Sequence, residues 1–371
     1  MAGDPPKLKI LAISELTSLK KRMKGNGGTL GGIETNHRNL VAGFKQRGHI
    51  VVETLPPPEK FHPDIIICPT FGPASLWNIF TLKRKYACAC VQHGHTTLED
   101  LRGGFLPDWA DFVFPFLRIY LRNLYRFSEI LITPSNFSKQ SLLRLGIPTH
   151  PPIVPVSNGV NLEKFQFSPQ KRGEFKAYLK EKFNIDLARP VILGVGVIWE
   201  RKGIDVFHAM AVAFPGCQFV WVGNYITAKK VMDKYNNLPN LTFTGFVDDV
   251  VAAYCGADVF FFPSRAENQG IPLLEAAACR LPILCRALPT YDWIENDVHC
   301  LKETTFSGFK AALQRLLDDP DLRERLAANA LDNVQAHDLE KVIDIVESVY
   351  RRAIRLRKRV FAVKASRNDR H

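Results

Sequence analysis

Short apolar runs alternate with longer amphipathic stretches along almost the whole chain. In the first half, KLKILAIS (Lys7–Ser14), HIVVE, DIIIC, YACACVQ and EILIT read as strands. In the second half, PVILGVG, CQFVWVG, LTFTGF, DVFFFP and LPILC repeat the pattern. Runs that are apolar on both faces, separated by helical stretches, predict parallel sheets covered on both sides. A helix is predicted from Gly32 to Arg47, stopped by Gly48. A long final helix is predicted from Asp338 to Arg359, with Val342, Ile345, Val346 and Val349 on one face.

About ten strands fit two doubly wound units better than one, and 371 residues agree with two domains. The predicted class is α/β. The loop NGVNLEKFQFSPQ (Asn158–Gln170) marks a boundary. The expected domains are residues 1–165 and 166–345, with residues 346–371 forming a C-terminal helix and basic tail.

Composition narrows the class. The chain is 46% hydrophobic and 23% charged, which is ordinary for a soluble globular protein. No apolar run reaches about 18 residues, so no transmembrane helix is expected. The start, MAGDPPKLKI, lacks the charged and apolar regions of a secretory signal. The eight cysteines form no CxxC pair and sit in apolar contexts, which suits reduced core residues of a cytosolic protein. Cys88 and Cys90 share one strand face, but no second ligand pair with suitable spacing accompanies them, so no metal site is expected.

Charge is uneven. Residues 1–150 carry 19 Lys and Arg against 11 Asp and Glu (+8), residues 151–340 carry 20 against 23 (−3), and residues 341–371 carry 10 against 3 (+7). A basic first part and tail point to an anionic partner. FPFLRIYLRNLYRF (Phe114–Phe127) sets Arg118, Arg122 and Arg126 at four-residue spacing among aromatics and leucines, so they form one helical stripe. Such a helix can lie on anionic lipid; a core-facing helix with a solvated arginine face is the plainer alternative. No nucleic-acid motif accompanies the charge, so no nucleic-acid partner is expected.

Four stretches could carry chemistry. KGNGGTLGGIE (Lys24–Glu34) joins a strand to a helix, where glycines let backbone amides approach an anion. Its register is neither GxGxxG nor a Walker loop. VQHGHTTLEDLRGGF places His93 and His95 beyond a strand's carboxyl end, where open sheets bind ligands. Either imidazole can orient sugar hydroxyls or carry a proton, or simply satisfy loop carbonyls. GVGVIWERKGIDVF sets Arg201 and Lys202 just before Gly203 and a helix start, a clamp for a diphosphate. PSRAENQGIPLLE then offers two carboxylates, Glu267 and Glu275, around a loop leading to Pro272, which favours the first helical position and predicts a helix starting there.

Taken together, GGIE, SNGV (Ser157–Val160), the RKG loop and the E-x7-E pair resemble the retaining glycosyltransferases of the GT-B fold, glycosyltransferase family four. The resemblance runs from Lys7 to about Arg359. HGHTTLEDLRGGF, VGVIWERKGIDVF and LPTYDWIEN look like the diglucosyl diacylglycerol synthases within it. It implies two Rossmann-like domains facing a central cleft, with the C-terminal helix crossing back to the first. Catalysis would fall to Glu267, holding the transferred sugar, to Arg201 and Lys202, neutralising the diphosphate, and to His93, near the anomeric carbon.

Donor binding would involve Gly31, Gly32, Gly196, the amides of Asn268, Gln269, Gly270 and Ile271, and Glu275. Glu275 would accept from the ribose, compensated by ribose hydroxyls and the helix dipole rather than by a protein partner. The base would sit around Gly223, Phe246 and Val247. His95 and the arginine stripe would serve acceptor and membrane. Many relatives have Arg directly after the strand glycine, where this chain has Val197, so Arg201 would carry more of the charge. Asp248–Asp249 reads as a helix cap rather than a metal motif, so no metal or other cofactor is expected. The implied reaction is hexose transfer, glucose from UDP-glucose, to a membrane lipid by a peripheral enzyme on the cytoplasmic face. The rivals are a GDP-mannose-dependent or soluble-acceptor transferase of the same fold, and a non-catalytic homologue.

Overall fold

The computed structural model describes residues 5–15, 32–94, 112–144, 146, 151–224 and 234–368, with side chains to residue 360. The chain divides into two compact units, residues 1–158 with 340–371, and residues 159–339. These divisions fall six or seven residues earlier than 165 and 345. The reason is local. Val160 N–H donates to the His337 carbonyl (2.9 Å) and the Leu339 N–H to the Val160 carbonyl (2.9 Å), which ties the entrance of the second unit to its exit.

The first unit holds β1 (Lys9–Ala12), β2 (Ile50–Val52), β3 (Ile65–Cys68), β4 (Ala89–His93), β5 (Ile130–Thr133) and β6 (Ile153–Pro155) in the order β2-β1-β3-β4-β5-β6. All neighbours pair parallel. Helices α1 (Gly32–Gln46), α2 (Pro73–Tyr86), α3 (Phe114–Tyr125) and α4 (Asn136–Arg144) belong to this unit. The sheet's order reverses between β1 and β3. There the carboxylate of Glu15 accepts from the Ser75 N–H in the first turn of α2, so the protein itself supplies an anion to that helix start.

The last helix, α11 (Leu339–Asn368), packs on the first unit. Its buried face is Val342, Ile343, Val346, Val349, Tyr350 and Ala353. Ile345, expected on that face, is exposed instead. At about 100° per residue it lies roughly 100° from the middle of the arc through the others. Tyr350 stacks on Phe44 at 5.2 Å, and Arg47 bonds Glu340 (2.8 Å) and Asp344 (2.5 Å).

The second unit holds β7 (Val191–Val195), β8 (Gln218–Val222), β9 (Leu241–Gly245), β10 (Val259–Phe262), β11 (Ile283–Arg286) and β12 (Leu301–Glu303), all parallel, in the order β12-β11-β10-β7-β8-β9. Its helices are α5 (Pro169–Phe183), α6 (Ile204–Ala213), α7 (Val250–Gly256), α8 (Ile271–Ala278), α9 (Phe306–Asp318) and α10 (Pro320–Val334). Strand β10 shows why continuous apolar runs are required. Phe260 and Phe262 enter one core, with Tyr254 and Leu273, while Val259 and Phe261 enter another, with Phe207 and Phe309. Alternate side chains point to opposite faces, and both faces are covered. The order reverses between β7 and β10, and in open α/β sheets ligands bind beyond the carboxyl ends of the strands at such a reversal.

Gly203 makes the turn from β7 into α6 possible. It sits at φ +79°, and a Cβ there would come within 2.5 Å of the Pro263 carbonyl beyond β10. Gly203→Ala is therefore expected to destabilise the second unit by roughly 2–4 kcal/mol through left-handed strain and overpacking. Denaturant unfolding followed by Trp221 fluorescence checks this, and a midpoint equal to wild type would contradict it.

Candidate active site

The reversal between β7 and β10 is where the predicted clamp and glutamate meet. Beyond β7 the chain turns at Gly196 (φ +145°), whose carbonyl accepts from the Trp221 indole N–H at 2.8 Å. Gly223, at the end of β8, approaches so closely that a Cβ there would overlap the Gly196 carbonyl. The loop then forms one 3-10 turn, Glu200–Lys202, before Gly203 opens α6. Beyond β10, Arg265 N–H donates to the Arg201 carbonyl at 2.8 Å, and Arg201 Nη1 donates to the Ala266 carbonyl at 3.1 Å. The two exit loops are thus joined through their backbones.

Across that junction Lys202 Nζ pairs with Glu267 Oε1. The Ser264 hydroxyl donates to the same oxygen at 2.7 Å. Both charged side chains are largely withdrawn from water, 13% and 11% exposed. Glu267 Oε2 makes no hydrogen bond among the described residues, which leaves one carboxylate oxygen to accept from a ligand. Burial alone pushes the Glu267 carboxyl up, but the Lys202 and Arg201 charges and the hydrogen bonds from Lys202 and Ser264 hold it below its ordinary value. It is a carboxylate at neutral pH.

The loop after Glu267 is held from below. Thr290 Oγ1 donates to the Asn268 carbonyl at 2.7 Å, Gln269 is buried, and Gly270 at φ +80° opens α8. The helix begins at Ile271, so Pro272 stands inside its first turn. That turn holds no acidic side chain, and helix N-termini favour anions.

Glu275, one turn into α8, has a protein partner after all. The Tyr254 hydroxyl of α7 donates to its Oε2 at 2.7 Å. This corrects the expectation that ribose and the helix dipole alone would compensate it. Nothing in the residues 21 positions upstream signals that contact. Burial pushes the Glu275 carboxyl up to about 7, with the Tyr254 bond and Lys164 opposing. A concavity of about 260 Å³ is lined by Arg172, Tyr254, Cys255 and Pro282, with residues that precede β10 and β11 rather than follow them.

The family profile "Glycosyl transferases group 1" matches residues 175–332, and "Glycosyltransferase Family 4" matches residues 59–164. The processive diacylglycerol alpha-glucosyltransferase of Acholeplasma laidlawii is 30% identical over 288 residues, 76% of this chain and 83% of that protein. The chain belongs to glycosyltransferase family four. The alpha-galactosylglucosyldiacylglycerol synthase of Streptococcus pneumoniae is 31% identical over 183 residues, 46% of this chain and 47% of that protein. Among solved structures, the sucrose-phosphate synthase of Thermosynechococcus elongatus superposes with a TM-score of 0.76 at 18% identity, covering 93% of this chain and 98% of that one. The Anabaena HepE protein in complex with UDP-glucose superposes at 0.72 and 17%, covering 92% and 99%. The fold is GT-B, and the protein is a transferase related to glycolipid glycosyltransferases.

The glycosyltransferase brings Lys202 to Glu267 and Arg201 to Ala266 beside it, sets Gly196 near Lys202 with Gly223 packed on Gly196, and runs residues 268–271 from Glu267 into α8. Phe246 is exposed just past β9, with Val247 half-buried behind it. In the first unit, His93 ends β4 and is buried, with Nε2 2.8 Å from the Tyr350 hydroxyl of α11. Gly32 begins α1, while Gly31 and His95 lie outside the described residues. Asp249 caps α7 by accepting from Val251 and Ala252 N–H, as its position suggested. Ser264 was missed, although it stands three residues before Glu267. Tyr254 and Tyr350 were missed because their contacts are made only on folding.

Glu275 gives the glycosyltransferase a pH signature. The unfolded chain releases this proton near 4.5 and the folded one near 7. Between those values the folded state binds more protons, so stability falls as pH rises through the window and levels off above it. Glu275→Gln abolishes this contribution. The variant's Tm should therefore gain on wild type between about pH 5 and about pH 8. A difference that stays constant over that range would rule the shift out.

Proposed function

We propose that the enzyme transfers glucose from UDP-glucose to a membrane lipid of the glycosyl-diacylglycerol type, with retention at the anomeric carbon and without a metal ion. The observation that carries this reading is the Lys202–Glu267 pair at the sheet reversal, with Arg201 beside it. Diphosphate and hexose demand opposite things within a few ångströms. The leaving diphosphate needs cations and N–H donors, which Arg201, Lys202 and the first turn of α8 supply. The hexose needs an acceptor for its hydroxyls, which Glu267 Oε2 supplies. Stabilising charge as it develops on the leaving group is a large part of such catalysis.

In this reading the acceptor oxygen forms the new bond to the anomeric carbon from the face the phosphate leaves. The carbon–phosphate oxygen bond breaks, and the departing phosphate takes the acceptor's proton. Glu275 accepts from the ribose in its carboxylate form, beside the Tyr254 hydroxyl. Glucose and a diacylglycerol acceptor are supported by the name of the Acholeplasma laidlawii relative, and a UDP-linked donor by the ligand of the Anabaena structure. The relatives' names specify α-linked products, and UDP-glucose is itself α-linked, so retention is the matching outcome.

A lipid acceptor requires the enzyme to work at a membrane surface, and among the described residues no helix is long and apolar enough to cross one. Helix α3 supports peripheral docking at the cytoplasmic face. Phe112, Phe116 and Ile119 form an exposed apolar ridge, with Phe116 71% exposed, and Arg118, Arg122 and Arg126 form an exposed ridge next to it. Trp77 of α2 is 67% exposed. Apolar side chains can enter the interface while arginines meet anionic head groups.

Glu267→Gln and Lys202→Met are each expected to lower kcat/KM at least about 100-fold while the protein stays folded. Nucleotide release with UDP-glucose and a lipid acceptor, with mass spectrometry of the product, checks this. A panel that also includes GDP-mannose and soluble acceptors decides donor and acceptor class. Near-wild-type turnover in both variants would remove the site.

Co-sedimentation with anionic vesicles should weaken as salt rises. Phe116→Ser with Ile119→Ser should reduce it about tenfold, given the apolar area withdrawn. Equal binding of wild type to neutral vesicles would refute the charge contribution.

A further inference from the structure

Tyr350 stands on the packed face of α11, among Val342, Ile343, Val346, Val349 and Ala353, and is fully enclosed. A phenylalanine would fill the same space, and burying a hydroxyl is costly unless it is hydrogen-bonded. The ring is held in place by the helices on either side of it. It stacks on Phe44 of α1 with centroids 5.2 Å apart. Gly43 lets the two helices approach, since a Cβ there would overlap Ile343. One turn before Tyr350, Glu347 lies 3.3 Å from His49 Nε2 and pairs with Arg351.

The hydroxyl meets one group. His93, the last residue of β4 and itself buried, has Nε2 2.8 Å from it, with the two rings edge to face at 6.0 Å. The Tyr350 hydroxyl has no other hydrogen-bond partner among the described residues. Burial pushes the phenol far above its ordinary value, so it keeps its proton. If Nε2 carried a hydrogen and donated it, the hydroxyl's own proton would be buried and unmatched. If the hydroxyl donates, Nε2 accepts and the contact is satisfied. A neutral imidazole carries one N–H, so accepting at Nε2 leaves that hydrogen on Nδ1.

We infer that Tyr350 is a positioning residue that holds His93 as the neutral Nδ1–H tautomer, so that His93 serves the reaction as a hydrogen-bond donor and not as a base. The inference rests on the proposed transfer and on the place the family resemblance gives His93, at the reacting sugar. There Nδ1–H is offered to an oxygen of the sugar or of the acceptor. Nε2 already accepts from a phenol and takes no proton from the acceptor. That agrees with the acceptor's proton leaving on the departing phosphate. The last helix thereby enters the reaction through a residue 257 positions from the histidine it orients.

Tyr350→Phe tests this, since it removes one oxygen and keeps the ring. Long-range proton–nitrogen NMR spectra report the tautomer, with the His93 signals identified by their loss in His93→Gln. Unliganded wild type should show a protonated Nδ1 and an unprotonated Nε2. Tyr350→Phe should lose that fixed pattern and populate Nε2–H. Its kcat with UDP-glucose and a lipid acceptor should fall about tenfold while the donor KM changes by less than about twofold. In a His93→Gln background the same change should have little further effect on kcat. Val349→Ala, on the same helix face, should lower Tm and leave the tautomer and kcat as in wild type, which separates lost packing from the lost hydroxyl.

A wild-type His93 protonated at Nε2 would overturn the inference alone. So would a Tyr350→Phe protein that keeps the Nδ1–H pattern, or one whose kcat falls no more than that of Val349→Ala. Wild-type turnover by His93→Gln would overturn the placing of this histidine at the reacting sugar, and the inference with it. A wild type that transfers from neither UDP-glucose nor GDP-mannose would overturn the transfer reading and the inference together.

Discussion

The ion pair between Lys202 and Glu267 crosses the one place in the second sheet where the strand order reverses, and the local structure on both sides serves it. Two charges this far from water are costly to hold unless each is matched in geometry and hydrogen bonding. Here the loops beyond β7 and β10 are joined first by a backbone bond, Arg265 N–H to the Arg201 carbonyl, and by the Arg201 guanidinium donating to the Ala266 carbonyl. Gly203 allows the turn, and Ser264 supplies the second donor to Glu267. Lys202 and Ser264 share one carboxylate oxygen of Glu267.

Polar groups in this unit differ in how fully the protein itself matches them. Glu275 is met by Tyr254, and burial raises its carboxyl to about 7, so its charge state is sensitive near neutrality. Glu267 is met by two donors and is held ionised. The Tyr291 hydroxyl is met by none among the described residues. Three groups within one loop-and-helix segment and its supports therefore stand at different degrees of satisfaction.

Much of the fold was legible in the chain because doubly wound sheets write themselves plainly. A strand covered on both faces must be apolar at every position, and β10 is Val-Phe-Phe-Phe for that reason. The candidate site was legible where it depends on residues close in sequence, as with Arg201 and Lys202 before a glycine, or Glu267 and Glu275 around a loop. It failed where helical phase decided the outcome. Ile345 belongs to the right helix but lies outside the arc that packs, and Ile343 and Tyr350 take its place.

The sequence by itself determined the α/β class and two parallel sheets, since these rest on local periodicity, and its motifs carried the family through their resemblance to known glycosyltransferases. Tertiary structure alone decided which group meets which. Lys202 reaches Glu267 across 65 positions, Tyr254 reaches Glu275 across 21, and Tyr350 reaches His93 across 257. Such contacts depend on strand order and helix phase, which leave no mark on the residues themselves. Satisfaction of a buried donor is a property of the packed chain, so the hydroxyl of Tyr350 became informative only once its surroundings were known.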